Sequence, residues 1–146
     1  MNWELKKFDE LTNNELYDVL RLRVDIFVVE QTCPYPEIDG KDEESLHLMY
    51  KENGEIVAYA RILPPGLSYD EASIGRVIVA ESHRGTGLGH ELIDQAVKES
   101  LAEYNQPIKI GAQAYLEDYY SAAGFETVSD VYLEDDIPHI DMLRSL

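Results

Sequence analysis

A glycine-rich segment between a predicted strand and a predicted helix constrains this chain more than any other feature. The apolar run 74–79 is typical of a strand, and the segment 84–89 that follows has the sequence Arg-Gly-Thr-Gly-Leu-Gly. A helix is predicted next, because apolar residues recur at helical spacing at Leu88, Leu92, Ile93, Ala96, Val97 and Leu101. The free N–H groups and partial positive charge at a helix start bind phosphate, glycines admit the anion close to the backbone, and Arg84 adds a cation. The sequence therefore predicts that a phosphorylated cofactor binds here.

Chain length and cysteine content limit the class of protein. With 146 residues the chain can form one domain with a full core, and we expect a single domain over residues 1–146. No apolar stretch reaches the roughly 18 residues that span a membrane, and the first residues lack the features of a signal peptide. The single cysteine, Cys33, excludes an internal disulfide and a cysteine-rich zinc site. We expect a cytoplasmic protein with no metal site and no membrane segment.

The net charge of −17 argues against nucleic-acid binding, which needs a positive surface. Such a charge would favour a cationic substrate, such as an amine, through electrostatic steering. Surface acids that only keep the protein soluble are the simpler explanation. The sequence does not set the oligomeric state, and a homodimer is one option.

The predicted elements follow a mixed α/β order with hairpins rather than repeating βαβ units. Thr12 and Glu15 match a capping box at the start of the first helix, and Asn-Gly at 53–54 is a strong hairpin signal. Two prolines and a glycine predict a loop over residues 33–40, and Gly124 closes a short helix. Strands are predicted at 3–8, 46–51, 55–63, 72–79, 108–112, 127–134 and 140–144, and helices at 12–29, 88–104 and 116–123.

Two common phosphate-binding fingerprints do not fit the turn. A P-loop requires a Lys-Ser/Thr pair after its last glycine, but His90 follows Gly89. A dinucleotide fingerprint would need a third glycine at position 90 and belongs to an early βα unit. Arg84, Gly87 and Gly89 instead fill the pattern Arg/Gln-x-x-Gly-x-Gly/Ala. The turn thus resembles motif A of the GNAT N-acetyltransferases, which binds the pyrophosphate of acetyl-CoA.

The resemblance extends beyond the turn. Residues 120–125, Tyr-Ser-Ala-Ala-Gly-Phe, are similar to the family's Tyr-x-x-x-Gly-Phe segment, and the element order matches that of the family. The resemblance implies a GNAT-like acyl-CoA N-acyltransferase fold of the α/β (α+β) class, with a mostly antiparallel central sheet, a splayed strand pair and flanking helices. Further segments resemble the ElaA subfamily, at 27–31, 33–35, 37–40, 58–61, 111–114 and 137–140.

The resemblance implies an acetyl-CoA-dependent N-acetyltransferase in which a primary amine, on a small molecule or a protein, attacks the thioester directly. Strand 108–112 should diverge from the preceding strand to admit the pantetheine arm, and the N–H of Val79 would face the thioester oxygen. The alternative is a module that binds or senses acyl-CoA without turnover. Gln113 stands where the family usually has an asparagine. The implied cofactor-binding residues are Val77, Ile78, Val79, Arg84, Gly85, Thr86, Gly87, Leu88, Gly89 and Gln113.

The resemblance also implies a general acid, whereas the general base stays open. Tyr120 occupies the family's tyrosine position near the expected sulfur, so it is the predicted acid. Its neighbour Tyr119 is expected to pack in the core. Cys33 is a candidate nucleophile, although a structural thiol is the simpler explanation. A water chain is one option for the base. The candidate side chains are Glu30 and His139, which lie in subfamily-like segments, and Glu37, Asp39 and His47.

Overall fold

The computed structural model of the protein describes residues 3–33 and 36–146. No helix within these residues is long and apolar enough to cross a membrane. The described helices are α1 (Asn13–Arg23), which continues as a π-helix (Val24–Glu30), α2 (Leu88–Tyr104) and α3 (Glu117–Ser121). The described strands are β1 (Trp3–Lys7), β2 (Leu46–Glu52), β3 (Glu55–Leu63), β4 (Ser73–Val79), β5 (Ile108–Gln113), β6 (Glu126–Thr127), β7 (Tyr132–Glu134) and β8 (Ile137–Arg144).

The strands form two sheets that meet at one bridge. The first sheet has the antiparallel order β1-β2-β3-β4, and in the second β8 pairs with β5, β6 and β7. Ala72, just before β4, forms a parallel bridge with Ile108 of β5, and the Lys109 N–H donates to the Ala72 carbonyl at 2.9 Å. Both strands lie within the described residues, and no further ladder pair joins them. They diverge from the bridge onward, which confirms the predicted splayed strand pair.

Glu15 fixes both the start of α1 and its place on the first sheet. The Glu15 N–H donates to Thr12 Oγ1 at 3.0 Å, and the Thr12 N–H donates to Glu15 Oε1 at 2.9 Å, which confirms the predicted capping box. The same carboxylate accepts hydrogen bonds from Lys6 of β1 and Lys51 of β2, at 2.9 and 2.6 Å. Burial alone would raise the pKa of Glu15, but these donors lower it to about 2.

Helices cover both faces of the first sheet, and a bulge in β4 adjusts which side chains face them. Between its pairs with Tyr59 and Arg61, β4 contains one residue more than β3. Arg76 is part of this bulge and has a φ of 51°, in the left-handed region. Ile74 and Val77 therefore both pack into the core under α2, although a regular strand would turn residues three apart to opposite faces.

Two predicted strand boundaries near the C-terminus are wrong. The strand expected over residues 127–134 splits into β6 and β7, and the last strand begins at position 137 rather than 140. Ser129 Oγ accepts the backbone N–H of Asp141 at 2.8 Å, so a side chain replaces a ladder bond in this stretch. Asp135 and Asp136 have φ values of 51° and 62°, and they form the tight turn that joins β7 to β8.

The first helix also differs from its prediction. The helix expected up to about Val29 is α-helical only to Arg23 and then widens into a π-helix, a form that is frequent at functional sites. The hairpin predicted at 53–54 is confirmed. Within the predicted loop 33–40, Pro34 and Tyr35 lie outside the described residues.

Glu15→Gln should lower the free energy of unfolding at pH 7, because the neutral amide cannot pair with both lysines. The pKa of Glu15 is depressed in the folded protein, so the stabilisation is present above the ordinary value of 4.5 and is lost as the pH falls toward 2. The difference between wild type and variant in urea denaturation should shrink over that interval. Glu55→Gln, at an exposed strand end, is the control. An equal and pH-independent loss in both variants would contradict this role.

Candidate active site

A cavity of about 430 Å³ opens where β4 and β5 diverge. Residues 74–79 of β4 form one wall, residues 110–113 of β5 form the other, and the π-helix contributes Phe27. This cleft, named the splay cavity below, brings together predicted site residues from six separate parts of the chain. They are Glu30, Val77, Ile78, Val79, Arg84, Gln113, Tyr120 and His139.

The backbone of β4 offers hydrogen-bonding groups to the splay cavity. The Ala80 N–H donates to the Val57 carbonyl of β3 at 2.8 Å. Strand alternation therefore turns the backbone groups of Ile78 toward β3 and those of Val77 and Val79 toward β5. Because β5 has diverged, the N–H groups of Val77 and Val79 face the cavity instead of a partner strand. Such an edge suits a ligand that hydrogen-bonds in the manner of an added strand.

The glycine-rich turn lies at the end of the splay cavity rather than in its wall. Gly85 and Gly87 have φ values of 77° and 88°, a conformation that favours glycine, and α2 begins at Leu88, which packs into the core. The first N–H groups of a helix have no partner within it, so the turn presents donors to solvent. Arg84 lines the cavity, whereas residues 85–89 do not.

Two side-chain hydrogen bonds hold the turn in shape. Thr86 Oγ1 donates to the His83 carbonyl at 2.7 Å, and the Tyr119 hydroxyl donates to the Gly89 carbonyl at 2.5 Å. Tyr119 is half-buried and packs against the core, as the sequence predicted, and it also fixes the start of α2. This second role has no signal in the sequence, since it depends on α3 lying beside the turn.

Two polar contacts join the π-helix region to the walls of the cavity. Arg84 forms a bidentate ion pair with Glu30, with nitrogen–oxygen distances of 3.0 and 3.1 Å, and its Nε donates to the Val79 carbonyl at 3.1 Å. Gln113 Nε2 donates to Gln31 Oε1 at 3.3 Å. Glu30 is therefore bound to the cation that the sequence predicts for the cofactor, and both of its carboxylate oxygens are engaged.

Tyr120 presents a protonated phenol to the splay cavity. The residue is 8% exposed, and its ring packs edge-on against Phe125 and Tyr119. Burial, with a smaller effect from Tyr115, raises the pKa of Tyr120 well above its usual range. No hydrogen-bond partner of its hydroxyl is found among residues 3–33 and 36–146. The hydroxyl is thus a proton donor available to a bound molecule.

His139 also lines the splay cavity. Its Nδ1 lies 2.7 Å from the Ile137 carbonyl, which can only accept, so Nδ1 carries the hydrogen and Nε2 holds the lone pair of the neutral ring. Nε2 lies 3.5 Å from Glu134 Oε2, and the ring stacks on Tyr132. A carboxylate therefore lies beside the ring nitrogen that can take a proton.

An ionic cluster that the sequence analysis missed lies behind the cavity. Arg23 is fully buried at the end of α1 and donates to Glu37 at 2.9 Å and to Asp42 at 2.7 Å. Arg61 donates to the same Asp42 at 2.9 Å and to Asp39 at 2.8 Å. One sequence feature indicated this cluster: Arg23 stands on the apolar face of the first predicted helix. The ionic cluster consists of Arg23, Arg61, Arg76, Glu37, Asp39 and Asp42.

Three of the candidate bases belong to this interior region. Burial alone would raise the pKa of Asp39, but hydrogen bonds from Arg61 lower it to about 2, and Glu37 is bound by arginines. His47 lies 2.6 Å from the Tyr59 hydroxyl, and burial lowers its pKa. None of Glu37, Asp39 and His47 lines the splay cavity. Glu30 and His139 are therefore the candidate bases that this cavity contains.

Cys33 stands apart from the splay cavity. Its Sγ lies 3.8 Å from the Asp135 carbonyl, and partial burial together with Asp135 and Asp136 raises the pKa of the thiol. A raised pKa disfavours the thiolate that a nucleophile requires. Among the described residues, no three His, Cys, Asp or Glu side chains converge as a metal site.

Comparisons with known proteins agree with the geometry. The model of the acetyltransferase (GNAT) domain family matches residues 22–146. The Escherichia coli protein ElaA is 41% identical over 100% of this chain and 97% of its own length, and its crystal structure superposes with a TM-score of 0.92. An acyl-CoA N-acyltransferase from Pseudomonas aeruginosa superposes with a TM-score of 0.93 at 43% identity, over 99% of this chain and 100% of that chain.

A more distant structure shares the fold alone. An aminoglycoside 6′-N-acetyltransferase complexed with coenzyme A superposes with a TM-score of 0.71 at 16% identity, over 97% of this chain and 96% of that chain. Together with the family match, these similarities confirm the predicted fold: two sheets of mostly antiparallel strands, a splayed pair and flanking helices.

Asp42→Ala should destabilise the protein strongly, because it leaves Arg23 and Arg61 buried without a shared counter-charge. Breaking a buried ion pair in this way costs about 3–5 kcal/mol. The neighbouring Glu43→Ala is the matched control, since Glu43 is exposed in the same turn. Urea denaturation should show a large loss for the first variant and a small change for the second. Equal changes in both would show that the ionic cluster contributes little to stability.

Proposed function

The chain belongs to the GNAT acetyltransferase family, and on that premise we propose that it transfers an acetyl group from acetyl-CoA to a primary amine. The amine attacks the thioester directly, and no covalent acyl-enzyme forms. The observation that carries the proposal is the open edge of β4, where the N–H groups of Val77 and Val79 face a cavity that also contains Arg84 and Tyr120.

The cofactor is proposed to lie along β4 with its phosphates at the glycine-rich turn. The pantetheine amides would hydrogen-bond to the free edge of the strand, and the pyrophosphate would meet the N–H donors at the start of α2. The Val79 N–H would then donate to the thioester oxygen, and a preorganised donor of this kind contributes about 3 kcal/mol to the transition state. Support comes from the similar Pseudomonas acyl-CoA N-acyltransferase and from the coenzyme A complex that shares the fold.

Arg84 must exchange partners when the pyrophosphate arrives. In the structure its guanidinium is paired with Glu30, while its Nε holds the Val79 carbonyl. Both partners of the ion pair are 42% exposed, so the pair is weak enough for a bound phosphate to replace the carboxylate. Glu30 is accordingly proposed to compete with the cofactor for Arg84 rather than to act as the base.

Two titratable residues in the cavity are proposed to move the protons. His139 Nε2 takes a proton from the incoming ammonium, and Glu134 stabilises the imidazolium. The amine nitrogen of the acceptor, now neutral, attacks the carbonyl carbon of the thioester. The new C–N bond forms, and the C–S bond breaks. Tyr120 donates its phenolic proton to the departing thiolate. The nitrogen of the new amide loses its second proton to solvent, which balances the later reprotonation of the phenolate, and the His139 imidazolium releases its proton to solvent.

Tyr120→Phe should lower kcat by roughly 10²–10⁴-fold, the range expected for loss of a general acid, and leave the Kd of acetyl-CoA nearly unchanged. CoA release in the presence of an amine panel gives kcat, and calorimetry gives Kd. The control is Tyr17→Phe, because Tyr17 is exposed on α1 and far from the cavity lining. Unchanged turnover in Tyr120→Phe would remove it as the acid. Binding of acetyl-CoA without CoA release for any amine would favour the sensing module instead.

His139→Gln and Glu30→Gln should change different parameters. The first should reduce kcat with little effect on the Kd of acetyl-CoA, and added imidazole should restore part of the activity. The second should tighten acetyl-CoA binding, because it removes the carboxylate that occupies Arg84. A loss of kcat in Glu30→Gln with normal turnover in His139→Gln would reverse the assignment of the base.

A further inference from the structure

A second, smaller cavity of about 60 Å³ adjoins the splay cavity on the side of the π-helix. Both cavities share Arg76, Gln113, Glu134 and His139, so a molecule in one can extend into the other. The smaller cavity is also lined by Glu37, which is paired with Arg76, and by Asp135 from the β7–β8 hairpin. The proposed reaction has given Arg76 no role.

Arg76 lies at the junction of the two cavities. It belongs to the β4 bulge with a φ of 51°, a strained conformation for a residue with a side chain, and such strain clusters at functional sites. Its guanidinium lies 4.6 Å from the centre of the Phe27 ring, and its Nε lies 2.8 Å from Glu37 Oε2. Among the described residues, no ion pair or hydrogen bond engages its two terminal nitrogens.

The charges of the ionic cluster leave Arg76 available to a ligand. The cluster contains three arginines and three carboxylates, and Arg23 and Arg61 are buried and each paired with two of the carboxylates. Arg76 retains a side-chain exposure of 32%. Its Nε is held by the cluster, while its outer edge has the fork geometry that matches a carboxylate.

The opposite wall carries the reverse charge. Glu134 and Asp135 line the smaller cavity on the β7–β8 hairpin, and Glu134 lies 3.5 Å from His139 Nε2. A molecule lying across the junction therefore meets a cation on β4 and carboxylates beside the proposed base on β8. This arrangement complements a zwitterion, whose carboxylate faces Arg76 and whose ammonium faces Glu134 and His139.

We propose that the acceptor amine also carries a carboxylate, as an amino acid does, and that Arg76 binds this carboxylate. The inference rests on the proposed function and specifies its substrate class. Arg76, Glu134 and His139 all line the splay cavity, so a small zwitterion there can meet the cation with its carboxylate and the other two residues with its ammonium. The net charge of the chain makes such a local cation necessary, since the protein as a whole repels anions.

The test compares amino acids with their carboxamides as acceptors in an acetyl-CoA assay that follows CoA release. Each pair has the same side chain and differs in the carboxylate. The amides hold more neutral amine at neutral pH, so amine reactivity alone would favour them. We expect kcat/KM at least tenfold higher for the best amino acid than for its amide, and Arg76→Gln should remove this preference by lowering kcat/KM for the acid alone.

Arg21→Gln is the matched control, because it removes an exposed arginine on α1 outside both cavities. Acetyl-CoA affinity and Tm report whether the Arg76→Gln variant folds. If the variant does not fold, the wild-type protein alone still shows whether amino acids are preferred to their carboxamides.

Equal or higher kcat/KM of the wild-type protein for the amides would overturn the inference while the acetyltransferase activity stands. Equal losses for acid and amide in Arg76→Gln would assign Arg76 a structural role only. Absence of CoA release with every amine would instead overturn the proposed function, and the inference with it.

Discussion

The divergence of β4 from β5 is the constraint on which the rest of the site depends. The two strands meet at the bridge between Ala72 and Ile108 and then part, so each keeps hydrogen-bonding groups without a ladder partner. Burying such a group away from water without a hydrogen-bond partner costs about 1–3 kcal/mol of folding free energy. The structure meets this constraint by keeping the gap open as a cavity, where water or a ligand can satisfy the backbone.

The ionic cluster explains how one side of that cavity keeps its shape. Arg23 ends α1 in the interior, where Glu37 and Asp42 hold it, and Arg61 ties the same loop to β3. Hydrogen bonds from both arginines overcome the effect of burial and lower the pKa of Asp42. The cluster thereby fixes the loop after the π-helix against the first sheet. It also positions Arg76 through Glu37, so a structural network and the proposed acceptor site share one carboxylate.

The sequence predicted the parts of the molecule that depend on local pattern. The capping box at Thr12, the hairpin at 53–54 and the strand–turn–helix around Arg84 each involve residues close together in the chain, whose spacing fixes their geometry. The resemblance to the family predicted that β4 and β5 diverge, and it predicted several of the residues that line the splay cavity. The partner of Arg84 could not be predicted, because Glu30 is 54 positions away and reaches it through the packing of the π-helix. The ionic cluster and the β4 bulge could not be predicted for the same reason, since each depends on pairing between distant segments.

Amide hydrogen exchange at Val77 and Val79, measured residue by residue with and without acetyl-CoA, tests directly whether the cofactor lies along β4. Both amides should exchange more slowly in the complex, because the pantetheine arm takes the place of the missing strand. The Ile78 amide, which faces β3, should change little and serves as the internal reference. Tight binding of acetyl-CoA with unchanged exchange at Val77 and Val79 would place the cofactor elsewhere and contradict the proposed binding mode.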